Sequence, residues 1–205
     1  TGHSYKSVVT APTCTQQGYT TYTCDCGDSY VSDYVSATGH TNAKEYRIVD
    51  EQLCYVTYCT TCQAVSEKES ISAGTVVSIA NEADLQTVVE FGYSVKLTAD
   101  INLTSALEIV GKTLTIDLNG HTLTADWASD DVVEVLFIRN DSHVVVTGNG
   151  TMISGDKSEH TNSVISCIEN STLTIENGTF IPSKANTRNA NDVFMGARVY
   201  NDENH

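Results

Sequence analysis

The chain has 205 residues, 40% of them hydrophobic and 18% charged, and carries a net charge of −15. No apolar run approaches the ~18 residues needed to cross a bilayer, which excludes a membrane-spanning helix. With 11 basic against 26 acidic side chains, the sequence lacks the Lys and Arg clusters on which phosphate-backbone binding rests, and nucleic acid is set aside as a partner.

Composition changes between residues 63 and 78. Six of the seven Cys and eight of the ten Tyr lie at or before Cys62, whereas most of the acidic excess lies beyond it. Two domains are predicted, residues 1–75 and 76–205. The polar run Ser66-Glu67-Lys68-Glu69-Ser70 has too little apolar area to pack and is expected to be a short linker. The opening Thr1-Gly2-His3 shows no basic then apolar leader, so a fragment of a longer secreted protein is expected.

About 75 residues with few large aliphatic side chains bury too little surface to offset chain entropy, and such units usually need a metal or disulfides. Two tandem sets, each a His followed by three Cys, offer one: His3, Cys14, Cys24 and Cys26, then His40, Cys54, Cys59 and Cys62. Three thiolates and an imidazole fill a tetrahedral zinc site, and soft sulfur at short spacing favours zinc over calcium or magnesium. Cys59-Thr60-Thr61-Cys62 has the usual knuckle spacing, while Cys24-Asp25-Cys26 is one residue shorter. His40 suits either set. Sites closed by four protein ligands serve folding and leave no position for a reacting water. Disulfides are the competing use of these six Cys in an extracellular setting.

Gly2-His3-Ser4-Tyr5, Val9-Thr10-Ala11-Pro12-Thr13-Cys14-Thr15, Gly18-Tyr19-Thr20-Thr21-Tyr22-Thr23-Cys24 and Ala37-Thr38-Gly39-His40 together resemble the short, zinc-ribbon-like Cys/His repeats found in tandem in large secreted bacterial surface proteins. The resemblance covers residues 1 to about 40 and implies a spacer or adhesion module without enzymatic activity.

Further on, Asn81 is a good N-cap with a carboxylate at Asp84, and Leu85, Val88 and Val89 share one face before Gly92, which predicts a capping helix over 81–91. The period then becomes two, with short strands predicted at Leu114–Leu118, Val144–Val146 and Leu173–Ile175. Asn119-Gly120, Asn149-Gly150 and Asn177-Gly178 recur at about 30 residues, in step with Asn140, Asn170 and Asn201. A single such pair would close a hairpin. Three at one long period instead predict coils stacked in parallel, with apolar ladders inside.

The segments Asn81 to Ile101, Thr113 to Leu123 and Leu173 to Phe180 resemble the right-handed parallel β-helix proteins of the pectin-lyase-like class. That class includes polysaccharide lyases, hydrolases and noncatalytic adhesins, so the resemblance implies the fold better than the activity. The expected fold class is therefore mainly β: small metal-stapled β-rich N-terminal repeats, then a short right-handed parallel β-helix with an N-terminal capping helix.

The one acidic constellation is Asp126-Trp127-Ala128-Ser129-Asp130-Asp131 with Glu134, read as a solvated loop with Trp127 folded over the coil. Asp117, Asp141 and Glu176 are read as a solvated sheet face, and His121 and His143 as surface turn residues. Cys167, thirty residues after Phe137, is expected to be a buried thiol in a core ladder. Residues 200–205 parallel 139–143, so a coil is expected to be cut there, offering unpaired edges for self-association. The functional expectation is a noncatalytic, extracellular or cell-surface module with structural zinc that contacts a surface glycan or host protein. The alternative is a β-helix lyase or hydrolase acting on an acidic glycan, for which the charge of −15 is a handicap.

Overall fold

A computed structural model describes residues 2–125, 127, 134–154 and 163–182. Among these the protein is mainly β with one helix. It divides into two compact units, Thr1–Glu45 with Cys54–Glu69, and Tyr46–Leu53 with Ser70–His205. The division is interleaved where a single cut near residue 75 was expected.

In the first unit, β1 (Tyr5–Thr10), β2 (Gly18–Cys24) and β3 (Ser29–Val35) form an antiparallel sheet in that order. Val8, Val9, Tyr30 and Tyr34 on this sheet are exposed, so it contributes little core. A second sheet holds β4 (Asn42–Val49), β5 (Gln52–Cys59) and β6 (Val65–Ser70) in that order. Asp50 and Glu51 between β4 and β5 both have positive φ, 53° and 62°, the conformation of a type I′ two-residue turn. The tip of this hairpin belongs to the second unit. There Tyr46 N–H donates to Asp84 Oδ1 at 2.9 Å, Ile71 N–H donates to the Leu53 carbonyl at 2.8 Å, and Leu53 is fully buried. The predicted linker at 66–70 lies within β6 instead. An edge strand needs only backbone pairing with its neighbour, so every side chain of β6 can be exposed and all but Val65 polar.

The second unit begins with β7 (Val77–Ile79) and α1 (Glu82–Glu90). Asn81 Oδ1 accepts from Asp84 N–H at 3.0 Å and caps the helix, whose Leu85, Val88 and Val89 are buried as their spacing predicts. Gly92, at φ +83°, ends it. Then follow β8 (Val95–Leu97), β9 (Ile101–Leu103), β10 (Leu107–Val110), β11 (Thr113–Asp117), β12 (Thr122–Ala125), β13 (Glu134–Arg139), β14 (His143–Thr147), β15 (Thr151–Ser154), β16 (Ser163–Cys167), β17 (Thr172–Ile175) and β18 (Thr179–Ile181). They make three parallel sheets ordered β7-β8-β11-β14-β17, β9-β12-β15-β18 and β10-β13-β16.

The register explains the period. Val95, Ile116, Val146 and Ile175 align, as do Ile101, Leu123, Met152 and Phe180, and likewise Ile109, Ile138 and Cys167. Apart from the half-buried Ile175, each aligned row carries its apolar side chains into one core, and each large aliphatic side chain removed from water contributes about 1.5–3 kcal/mol. Cys167 is buried as expected, but its neighbour in the adjacent strand is Ile138, 29 residues earlier, whereas Phe137 pairs with Ser166.

The corners differ more than the sequence markers suggest. Between aligned Ile116 and Thr122 lie residues 117–121, between Val146 and Thr151 residues 147–150, and between Ile175 and Thr179 residues 176–178. Over these three layers the corner loses one residue each time, whereas the layer before them is shorter than the first, with residues 96–100 between Val95 and Ile101 against 117–122 between Ile116 and Leu123. The three Asn-Gly pairs share the corner without sharing a conformation: Asn119 and Gly120 have φ of +48° and +83°, whereas in the next layer the left-handed residue is Gly148, at +82°. A Cβ there would strike the Asp117 carboxylate and come within 2.5 Å of Asn119 N, so only glycine fits. At the opposite corner, Asn140-Asp141 stacks on Glu169-Asn170, all four with φ of 55° to 60°.

Ser142 is fully buried beside that corner. Its Oγ donates to the Arg139 and Ile109 carbonyls (2.6 and 3.1 Å) and accepts from Lys112 N–H (3.2 Å). Ser142→Ala should take the hydroxyl from Lys112 N–H and from the Ile109 carbonyl, while the Arg139 carbonyl keeps Gly111 N–H at 3.2 Å, and lower the unfolding free energy of this unit by about 1–3 kcal/mol, which urea denaturation measures; an unchanged midpoint would contradict the assignment.

The side chains singled out in the sequence have defined partners. Asp117 is not simply solvated: its Oδ1 accepts from Asn119 N–H at 2.8 Å and its Oδ2 lies 3.7 Å from Lys96 Nζ. His121 Nδ1 lies 3.2 Å from Asp100 Oδ1, and His143 Nδ1 lies 2.7 Å from Thr172 Oγ1. The Thr122 N–H, with His121, holds the Asp100 carboxyl below its ordinary range. Trp127 packs against the core, and Glu134 accepts a hydrogen bond from Ser166 Oγ. Asp126, Ser129, Asp130 and Asp131 lie outside the described residues, as does the coil end expected at 200–205.

Candidate metal centre

Three short segments of the first unit build the site. Between β1 and β2, Thr13 Oγ1 accepts from Thr15 and Gln16 N–H while Thr13 N–H donates to the Gln16 carbonyl, making a tight turn around buried Cys14. The chain after β3 is fastened to this turn, with Thr38 N–H donating to the Thr13 carbonyl (3.0 Å) and Gly39 N–H to the Cys14 carbonyl (3.1 Å). That pairing places His40 beside Cys14. At the end of β5, Gln63 N–H donates to the Cys59 carbonyl (2.8 Å) and closes the knuckle, and Thr60 N–H ties it to the Thr41 carbonyl (2.9 Å).

The ligand atoms of Cys14, His40, Cys59 and Cys62 lie within 4.8 Å of one another. Cys14 Sγ is 3.8 Å from Cys59 Sγ, and Cys62 Sγ is 3.5 Å from His40 Nδ1. Three sulfurs and an imidazole converging in this way can hold a metal ion. Burial, with hydrogen bonds to Cys62 and Cys59, pushes the Cys14 thiol up. Cys59 moves the other way, down to about 5, because the Cys62 N–H, then His40, and the Thr61 and Thr41 N–H groups favour its thiolate. One sulfur is therefore anionic at neutral pH.

The grouping differs from the one expected. Cys14 joins His40, Cys59 and Cys62, and Cys54, fully buried in β5, is not in this group. Five positions separate Cys54 from Cys59 on that strand, which is ~16 Å of extended chain and opposite faces, so the two cannot share an ion. His3, Cys24 and Cys26 form a separate group of three at the β2–β3 hairpin, also within 4.8 Å of one another. Cys24 and Cys26 are joined as a disulfide, with His3 Nδ1 3.2 Å from Cys26 Sγ. No family model matches this chain, and neither a curated protein nor a solved structure matches it.

The depressed Cys59 value has a consequence with a definite sign. A thiol lowered from 9.0 to about 5 contributes fully above its ordinary value, and that contribution is lost as pH falls through about 5. A bound metal should accordingly be retained at neutral pH and lost on acidification, read by metal content after dialysis at each pH. Loss on raising the pH from 7 to 9 instead would contradict the thiolate at Cys59.

Proposed function

We propose that the chain is a noncatalytic module of a secreted, cell-surface protein, in which a structural zinc ion staples the first unit and a right-handed parallel β-helix forms the second and makes glycan or host contact. The observation that carries this reading is the four-ligand set Cys14, His40, Cys59 and Cys62. A tetrahedron with Zn–S bonds of ~2.3 Å has edges of ~3.8 Å, which matches the 3.8 Å between Cys14 and Cys59 sulfurs. Four protein ligands also fill zinc's usual positions, which favours a staple over a catalyst. The β-helix assignment is supported by three parallel sheets whose strands recur in fixed order and by aligned apolar rows.

The test combines metal analysis with a retention assay on the full chain. About one zinc ion per chain is expected while Cys24 and Cys26 stay joined, with a second only after their reduction. The chain should be retained on insoluble polysaccharide without releasing sugar. Metal-free protein of unchanged stability would overturn the staple, and release of reducing sugar or unsaturated uronate would favour the enzyme instead.

A further inference from the structure

The outer face of β10 and β13 and the end of α1 enclose a groove of about 960 Å³, within the size range of small-ligand sites. We infer that this groove is the binding site for a neutral oligosaccharide. The inference rests on the glycan-contact reading above and gives it a place and a ligand class.

Two of the four Phe in the chain line the groove. Phe91, the C-cap of α1, is 38% exposed. Phe137 projects outward from β13 where Leu136 and Ile138 turn inward. Arg139 steadies that ring, its guanidinium carbon 5.7 Å from the ring centre while its Nη2 and Nε hold Glu108 Oε1 at 2.6 and 2.7 Å. The helix wall is fixed by Gln86, whose Nε2 donates to the Ser105 and Ala106 carbonyls, leaving Oε1 as an acceptor. Lys112 packs its stem over Gly92, where a Cβ would come within 3.1 Å of Lys112 Cδ.

Charge selects the ligand class. Arg139 neutralises Glu108, which leaves one carboxylate, Glu90, and one ammonium, Lys112, among the described residues of the lining. The groove is thus close to neutral on a chain of net charge −15. A polyuronate finds one cation and a repulsive surrounding field; a polycation finds one carboxylate. A neutral sugar chain matches both features, because the apolar faces of its rings stack on phenyl groups while its hydroxyls meet the Glu90 and Gln86 acceptors and the Lys112 donor.

Saturation-transfer NMR on the full chain with cellohexaose, chitohexaose and a galacturonate hexamer tests this. Saturable binding of at least one neutral hexamer is expected, with the galacturonate hexamer weaker. Phe91→Ala and Phe137→Ala should each weaken binding about tenfold, while Phe91→Trp retains it, and thermal midpoints identify variants that remain folded. Should Phe137→Ala not fold, the exposed Phe91 and Glu90→Gln variants decide alone. Unchanged binding by folded Phe91→Ala and Glu90→Gln would overturn the groove but leave glycan contact standing elsewhere. No binding of either neutral hexamer by the metal-loaded wild type would overturn the groove and the glycan-contact reading together. Preference for the galacturonate hexamer would overturn the charge argument.

Discussion

Cys59→Ser should abolish metal binding and unfold the first unit while the second keeps its own thermal transition. The first unit has little else to hold it: of its five buried apolar residues among those described, four are Cys14, Cys24, Cys54 and Cys59, and the fifth is Val56. A structural zinc ion contributes roughly 10–16 kcal/mol in small domains, comparable to the about 5–15 kcal/mol that holds a whole folded domain together. Serine keeps the size of the side chain but supplies a poor ligand, and it disrupts the Cys14–Cys59 contact at 3.8 Å. His40→Ala should do the same from the opposite side of the site. Calorimetry of the wild type should show two transitions, the lower one abolished by a chelator and absent in both variants. A first transition that survives metal removal would show that these sulfurs do not carry the stability of this unit.

Ile116→Asp should prevent the second unit from folding. Ile116 is fully buried and aligned between Val95 and Val146 in adjacent strands. The variant loses about 1.5–3 kcal/mol of apolar burial, and a carboxylate forced into the same space costs several kcal/mol more. The sum rivals the stability of a typical domain. One position earlier, Thr115 faces the other way and is half-buried, so Thr115→Asp should change stability by about 1 kcal/mol or less. Circular dichroism and limited proteolysis distinguish the two. Equal tolerance of both substitutions would contradict the inside-outside alternation of the ladder.

What the sequence disclosed and what it withheld follow from the range of the interactions. The α1 helix was legible because Asn81, Asp84 and the Leu85, Val88, Val89 spacing all act within three turns of chain. The strand ladders were legible because alternation at Leu114 and Ile116 is repeated at Val144 and Val146. The candidate metal ligands were legible as a set of residue types but not as a partition. Cys14 meets His40 only because Thr38 and Gly39 bond to Thr13 and Cys14, a pairing across some twenty-five residues that no local spacing announces. One signal was available: Cys54 and Cys59 stand on one strand at an odd separation. The polar stretch at 66–70 gave no hint of β6, since an edge strand bonded through its backbone asks nothing of its side chains. Nor could the Asn-Gly markers fix the register, because corners of unequal length let the count between markers drift from the count between paired residues.

The unequal corners bear on how such a framework can vary. The same bend gains one residue from the β8–β9 layer to the next and then loses one in each of the two layers after that, yet the strands on either side stay paired without a slip. Length is therefore negotiable at the bends and fixed along the rungs. Lineages carrying this framework would be free to grow or trim surface loops at the bends, acquiring new contacts there while the stacked interior stays untouched.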